Sequence, residues 1–365
     1  MPPQYRAEVV GSFLRPPDLL KARAAHAAGQ LKPEDLRAAE DRAILSVFEG
    51  QRSAGMPVFT DGELRRGSWL TDMAEAVEGF VTDKVILDWK GPGGGFEAST
   101  AQAVGARLKK VRKLTAHELP FLKKSAPGPF KITVPAPSNF MVSSYKKGVS
   151  SRFYPTRDQL LHDLVEIIRD EIKWLVAEGA GYIQLDAPFY SHYVDSIQRG
   201  RLQREGLNPD EEFRKSVAGD NSLLKDIPRQ RVAVSVHVCR GNSRSRWYTE
   251  GSYDSIAEKL FNTLDVDNFL LEYDTERAGS FEPLRFVPRG KRVVLGLVTT
   301  KTPRLESPDD LRRRIDEAAR FVPIEDLAIS TQCGFAAVAA GNLLTIDEQW
   351  RKLELVASVA RHVWG

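Results

Sequence analysis

Val232-Ala-Val-Ser-Val-His237-Val-Cys239 reads as a buried strand that ends in two good metal ligands. The run is almost continuously apolar and rich in β-branched residues, the pattern of a parallel strand covered on both faces. In a strand, residues i and i+2 point to the same side, so His237 and Cys239 can face one ion together. The plain alternative is a core strand holding a satisfied histidine and an inert cysteine. What lies on either side decides between them.

Upstream, Thr156-Arg-Asp-Gln159 opens a helix whose apolar positions Leu160, Leu161, Leu164, Ile167, Ile168, Ile172 and Leu175 share a stripe. Gly179-Ala-Gly181 stops it, and Tyr182-Ile-Gln-Leu-Asp186 is the next strand. Downstream, a helix over 253–264 leads to the strand Asn268–Asp274, followed by strands Arg292–Thr299 and Leu327–Gly334. Ser307-Pro-Asp-Asp310 caps the helix between these last two, with Leu311, Ile315 and Ala319 facing inward, and Thr345-Ile-Asp-Glu348 caps the last helix. Nearer the start, Glu8–Ser12, Val58–Glu63 and Lys131–Pro135 read as strands. A helix opened by Pro33 carries the stripe Leu36, Ile44, Leu45 and Phe48.

Eight strands, most followed by a helix, predict a parallel α/β sheet closed as a (β/α)8 TIM barrel. A doubly wound open sheet is the runner-up, and no Gly-x-Gly-x-x-Gly follows the first strand to support it. Such barrels need ~250 residues, so the N-terminal helices and an insertion over 81–128 account for the excess in a single catalytic barrel spanning 1–365. The insertion reads as a hairpin and a short helix around the loop Gly91-Pro-Gly-Gly-Gly. Its basic cluster Lys109-Lys110-Val-Arg112-Lys113 is either a solvated face or a contact for an anionic substrate tail.

The 365 residues are 42% hydrophobic and 28% charged, with a net charge of +3. That charge gives no footprint for nucleic acid. No run of 18 apolar residues predicts a membrane span. Met1–Arg6 has no apolar leader, so a cytoplasmic location is expected. The only cysteines are Cys239 and Cys333, and in a reducing compartment a disulfide between them is not expected.

In barrel enzymes the chemistry sits at the C-terminal ends of the strands. Here those tips carry Ser12, Glu63, Asp186, His237, Cys239, Glu272, the Thr299–Lys301 segment and Cys333. His237, Cys239, Glu272 and Cys333 make a zinc set, since thiolate, imidazole and carboxylate are all normal zinc ligands and two thiolates disfavour Mg²⁺ and Ca²⁺. Ligands spread over a barrel suit a catalytic rather than a structural site. Two thiolates and one carboxylate leave the centre a poor Lewis acid for water, yet metal binding still lowers the pKa of a thiol. The chemistry implied is alkyl transfer to sulfur.

These residues resemble the cobalamin-independent methionine synthase superfamily, and in particular its short single-barrel bacterial members. The resemblance rests on Val10-Gly-Ser12-Phe, Thr60-Asp-Gly-Glu63, Ile183-Gln-Leu-Asp186, His237-Val-Cys239, Leu271-Glu272 and Gln332-Cys333-Gly334, in the family's order along almost the whole chain. It implies a zinc-bound homocysteine thiolate attacking the N5-methyl of a methyltetrahydrofolate or its polyglutamate, to give methionine. It also implies that Gly11, Ser12 and Glu63 hold the amino-acid end of the thiol, with Asp186 on its ammonium. Glu63, Asp186 and Lys301 are the catalytic candidates.

Several positions depart from the family pattern. An extra N-terminal barrel of the long enzymes is not expected here, and Ala187 stands where they carry an acid. Lys301 stands where they carry a histidine that assists protonation of the folate nitrogen, and Pro135-Ala-Pro-Ser-Asn-Phe140 lacks their stacking tryptophan. A nitrogen leaving group needs an acid, and lysine at its ordinary pKa of ~10.4 is a weak one. Another methyl donor or an epoxide electrophile is therefore the alternative, and a non-catalytic zinc-binding barrel is a third reading. The expected partners are a small thiol and its donor, not nucleic acid or membrane; an accessory protein or a homo-oligomer is left open.

Overall fold

The computed structural model describes residues 5–365; Met1–Gln4, which begin the Met1–Arg6 stretch, lie outside the described residues. Nine strands occur among the described residues: β1 (Ala7–Glu8), β2 (Val77–Trp89), β3 (Gly95–Lys110), β4 (Ile132–Pro135), β5 (Tyr182–Asp186), β6 (Ala233–Val238), β7 (Asn268–Glu272), β8 (Arg292–Val298) and β9 (Leu327–Thr331). Seven form one parallel sheet in the order β1-β9-β8-β7-β6-β5-β4, and β2 pairs only with β3. Every residue of β6 and of β8 is buried, as their largely apolar runs require.

The sheet curls until β1 and β4 approach, and residues 58–62 bridge the gap. Phe59 forms a parallel bridge with Phe130, its N–H bonding to Pro129 O (2.9 Å) and its carbonyl accepting from Lys131 N (2.8 Å). On the other side Phe13 N donates to Gly62 O (3.0 Å) and Thr60 Oγ1 to Gly11 O (2.7 Å). The stretch 58–63, expected as a full strand, is thus a bridging stave. The side chain of Gln51 replaces the missing ladder: its Nε2 donates to Thr60 O (2.8 Å) and its Oε1 accepts from Thr60 N (3.0 Å). The fold is the expected α/β barrel.

Inside the barrel, alternation stacks side chains in layers. At the bottom, Lys131 Nζ pairs with Glu8 (3.0 Å), and Tyr182 donates to the same carboxylate (2.8 Å). Val10, Leu270, Val294 and Ala328 pack as an apolar layer. Asp186 stands level with His237 in the β5–β6 register, and Glu272 ends β7 two residues beyond Leu270.

The helices cover the outer face. Thr156 caps the helix Arg157–Ala177 by accepting Gln159 N, and that helix buries Leu160, Leu164, Ile168, Ile172 and Leu175 against the sheet, on the order of 1.5–3 kcal/mol per side chain. Four details differ from the sequence reading. Leu45 is exposed while Ala43, Ile44, Val47 and Phe48 face inward, and Ala318 rather than Ala319 completes the buried stripe of Pro308–Ala318. Ser307 makes no side-chain cap there, whereas Thr345 and Glu348 form a full capping box. The hairpin β2–β3 starts at Val77, earlier than 81, because the helix Thr71–Ala76 runs directly into it and Val77 pairs with Lys110. The short helix Leu119–Ser125 follows. Lys110 and Lys113 are paired with Asp170, and Arg112 with Glu75. No helix among the described residues is long and apolar enough to cross a membrane.

Candidate metal centre and thiol site

His237 on β6, Cys239 just beyond it and Cys333 just beyond β9 bring one ligand atom each within 4.8 Å of one another, all buried. Neither ring nitrogen of His237 has a hydrogen-bond partner, although both are buried. Such an orphaned imidazole is costly unless something binds it. The two sulfurs lie 3.6 Å apart, close to the ~3.8 Å that two thiolates at about 2.3 Å on a tetrahedral ion would adopt. The residues therefore fit a metal of thiolate and imidazole preference. The Cys333 S–H donates to Cys239, which with His237 holds the Cys239 thiol well below its ordinary pKa; the same contact and burial push Cys333 up. Burial opposes charge on His237, but the sulfur of Cys239, with Asp186 and Glu272, raises its pKa.

Glu272, the fourth expected ligand, does not join this trio. Its Oε1 accepts from Arg277 Nε (2.9 Å) and its Oε2 from Arg240 N (3.0 Å). The Tyr253 hydroxyl ties the strand ends together, accepting from Glu272 N (3.2 Å) and donating to Val238 O (2.9 Å). Lys301 is buried, and its Nζ donates to Gly241 O (2.8 Å), Asn242 Oδ1 (3.4 Å) and Arg246 O (3.4 Å). It thereby anchors the loop that follows Cys239. Burial lowers its pKa, against the attraction of Glu272.

The thiol-side candidates gather at the adjoining rim. A Cβ on Gly11 would stand 2.7 Å from Glu63 Oε1, and one on Gly334 would stand 2.1 Å from Ser12 Oγ, so both positions need glycine. Ser12 Oγ accepts from Ala336 N (3.3 Å), joining the loops after β1 and β9. Glu63 adopts a left-handed φ of 55°, uncommon for a residue with a side chain. Asp186 accepts from Gln184 Nε2 (2.7 Å), and burial beside Glu63 raises it to about 7.

A supporting layer carries no sequence motif. Thr133 Oγ1 donates to Glu63 Oε1 (3.0 Å) while accepting from Arg66 Nη1 (2.9 Å). Arg66 is buried and bound to Glu118 (2.5 Å) and Asp72 (2.7 Å). Asp72, His117 and Glu118 also lie within 4.8 Å of one another, but Arg66 fills their centre as the counter-ion. Helical spacing hides these partners, which only the barrel brings together. A run of half-buried rings, Trp69, Phe189, Tyr248 and Trp89, also lies around the mouth with the buried His192, which burial pushes down to about 3.

Comparison with known proteins agrees with this geometry. Residues 142–360 match the family model "Cobalamin-independent synthase, Catalytic domain". The chain is 37% identical to the "Uncharacterized protein YxjH" of Bacillus subtilis, over 99% of this chain and 95% of that one. It is 26% identical to a methionine synthase of Sulfurisphaera tokodaii, over 89% and 84% of the two chains. Among solved structures, a protein described as a vitamin-B12-independent methionine synthase from Listeria monocytogenes superposes with a TM-score of 0.78 at 27% identity, covering 100% and 99% of the two chains. A B12-independent methionine synthase from Shewanella shares the fold at 19% identity and a TM-score of 0.74. With its strand-tip residues in place and its sequence matched end to end by such relatives, the chain belongs to the cobalamin-independent methionine synthase family and is a methyltransferase.

Proposed function

We propose that this chain methylates homocysteine to methionine at a zinc ion held by His237, Cys239 and Cys333, with 5-methyltetrahydrofolate or its polyglutamate as donor. The observation that carries the reading is the buried convergence of two sulfurs and an imidazole lacking any hydrogen-bond partner, beside Asp186. Glu272 is our fourth ligand: each of its oxygens keeps a lone pair beyond the bonds from Arg277 and Arg240. When bound, zinc supplies the acidity that holds the substrate thiol as a nucleophilic thiolate.

The chain's own residues do the rest. Glu63 and Asp186 face the substrate ammonium as paired carboxylates, and the burial that raises Asp186 is relieved when a cation arrives. Gly11 and Ser12 form the turn that receives the carboxylate. In the transfer a sulfur–carbon bond forms as the methyl–nitrogen bond breaks, and the nitrogen keeps the electron pair and takes a proton. Lys301, with its lowered pKa, is the buried cation available to that side of the site. We further read 1–365 as one catalytic barrel in which the hairpin region is an insertion, working in the cytoplasm on small molecules.

The test is methyl transfer by chain of known zinc content. Methionine formed from homocysteine and 5-methyltetrahydrofolate, in proportion to bound zinc, is the expected result. Near-stoichiometric zinc with alkylation of thiols by epoxides, and no methionine from any folate form, would transfer the assignment to the alternative electrophile.

A further inference from the structure

Arg15 carries a buried charge with no carboxylate in contact. It lies three residues past Ser12, is 5% exposed, and makes no ion pair among the described residues. The buried arginines nearby behave differently: Arg66 meets Glu118 and Asp72, and Arg65 meets Glu40 and Asp41. Burial pushes the Arg15 pKa down to about 10, with Glu63 pulling the other way, so the guanidinium stays charged at neutral pH. A cation kept inside the protein with no anion beside it is held for the hydrogen bonds it makes.

Those bonds run to backbone carbonyls of two separate segments. Nη2 donates to Glu63 O (3.3 Å) and Arg66 O (2.7 Å), and Nη1 donates to Ala336 O (3.1 Å) and Val338 O (3.2 Å). The first pair belongs to the turn that carries Glu63. The second belongs to the loop after β9, which begins with Cys333 and Gly334. A guanidinium is planar and rigid, so it holds two segments at a set separation where a flexible ammonium would not. Phe335 N, donating to Ser12 O (2.8 Å), ties the same loop to the turn after β1.

The Glu63 end of this clamp is strained. Its left-handed φ of 55° is a conformation that persists only where the surroundings over-determine it. Here Glu63 N donates to Asp61 Oδ1 (3.0 Å), and Glu63 O accepts from Arg66 N (3.0 Å) as well as from Arg15. The other end leads to the sulfur centre, since Cys333 stands three residues before Ala336. Arg15 therefore sets the span between the anchors for an amino-acid head group and the thiolate centre. A thiol amino acid gripped at both ends is measured by that span, and one methylene more or less is what such a site tells apart.

We propose that Arg15 is a positioning residue for chain-length selection: by clamping the Glu63 turn to the loop that follows Cys333, it makes the site prefer homocysteine over the shorter cysteine. This rests on the thiol-methylation reading and adds a determinant that acts through the backbone rather than through contact with the substrate. Charge alone does not replace it, because lysine offers one nitrogen where the fork of Arg15 reaches two segments.

The test is equilibrium binding of L-homocysteine and of L-cysteine to the zinc-loaded chain, by calorimetry without a methyl donor, with bound zinc measured before and after each titration. The wild type is expected to prefer homocysteine by about tenfold or more. Arg15→Met is expected to bring that ratio close to one, chiefly by weakening homocysteine, with zinc content unchanged. Arg15→Lys, the milder change, is expected to lower the ratio too and serves if Arg15→Met does not fold. Arg157→Met removes a half-buried guanidinium that pairs with Glu205 (3.0 Å) on the outer helices. It is expected to keep the wild-type ratio, because lost stability alone does not alter a ratio of affinities. A wild-type ratio in either folded Arg15 variant, or equal binding of the two thiols by the wild type, would overturn the proposal and leave the thiol reading standing. A zinc-loaded wild type that binds neither thiol would instead sink the thiol reading, and this proposal with it.

Discussion

Thr133→Val isolates the contribution of the layer behind the thiol site. Valine keeps the shape of threonine and removes one hydroxyl, which here accepts from Arg66 Nη1 (2.9 Å) and donates to Glu63 Oε1 (3.0 Å). Thr133 is 3% exposed, so water does not readily replace either bond. A hydrogen bond to a charged group contributes about 1.5–3 kcal/mol. The arginine keeps its bonds to Glu118 and to Thr133 O, so the loss falls mainly on Glu63. If Glu63 holds the substrate ammonium, its freed carboxylate should raise the KM for homocysteine by about 10- to 150-fold, at about 1.4 kcal/mol per tenfold. The kcat should change far less, because Glu63 does not touch the transferred methyl. Steady-state kinetics at saturating donor, with zinc content measured on the same samples, separates the two effects. Thr133→Ser, which retains the hydroxyl, should stay near wild type. A wild-type KM for homocysteine in folded Thr133→Val would refute the role given to the hydroxyl and, with it, the assignment of Glu63.

Three further outcomes are expected. Cys333→Ser should lower bound metal well below one per chain and abolish methyl transfer while circular dichroism stays native; full zinc and activity would remove Cys333 from the ligand set. Lys301→Met should weaken zinc retention, because the loop after Cys239 loses its anchor at Gly241 O, Asn242 Oδ1 and Arg246 O; zinc fully retained with kcat reduced and its pH profile altered would point to a proton-donor role instead. Burial raises Asp220 from 3.8 to about 6, against the bonds it accepts from Ser138 and Tyr190. The folded chain therefore holds that proton more tightly, and the resulting stabilisation is complete below pH 3.8 and lost as pH rises through about 6. The loss is about 3 kcal/mol, and denaturant midpoints from pH 4 to 7 should show Asp220→Asn lacking this component.

The strand ends were readable because strand alternation and unbroken apolar runs are local signals. Tyr182–Asp186 is the strand expected, and His237 lies at the end of β6 with Cys239 just beyond it, as the opening stretch indicated. The stave at 58–62 misled because its alternation resembles a strand while its pairing is completed by Gln51, a residue on a helix. Glu272 shows a different limit. Its chemistry and position make it a ligand candidate, which the proposed site retains, and Arg277, five residues on, holds one of its oxygens in place. No periodicity announces such a contact across a loop.

By itself, the sequence determined the alternation of strands and helices, the polar residues at the strand tips and the family to which they belong, because each of these is written in spacing along the chain. Only the tertiary structure decided which tips converge. Closure of the barrel sets Cys333 3.6 Å from Cys239 across 94 residues, places Thr133 and Arg66 behind Glu63 and folds the hairpin toward rings from three loops. Those distances follow from strand register and layer packing, which depend on the whole ring of strands and on no single stretch within it.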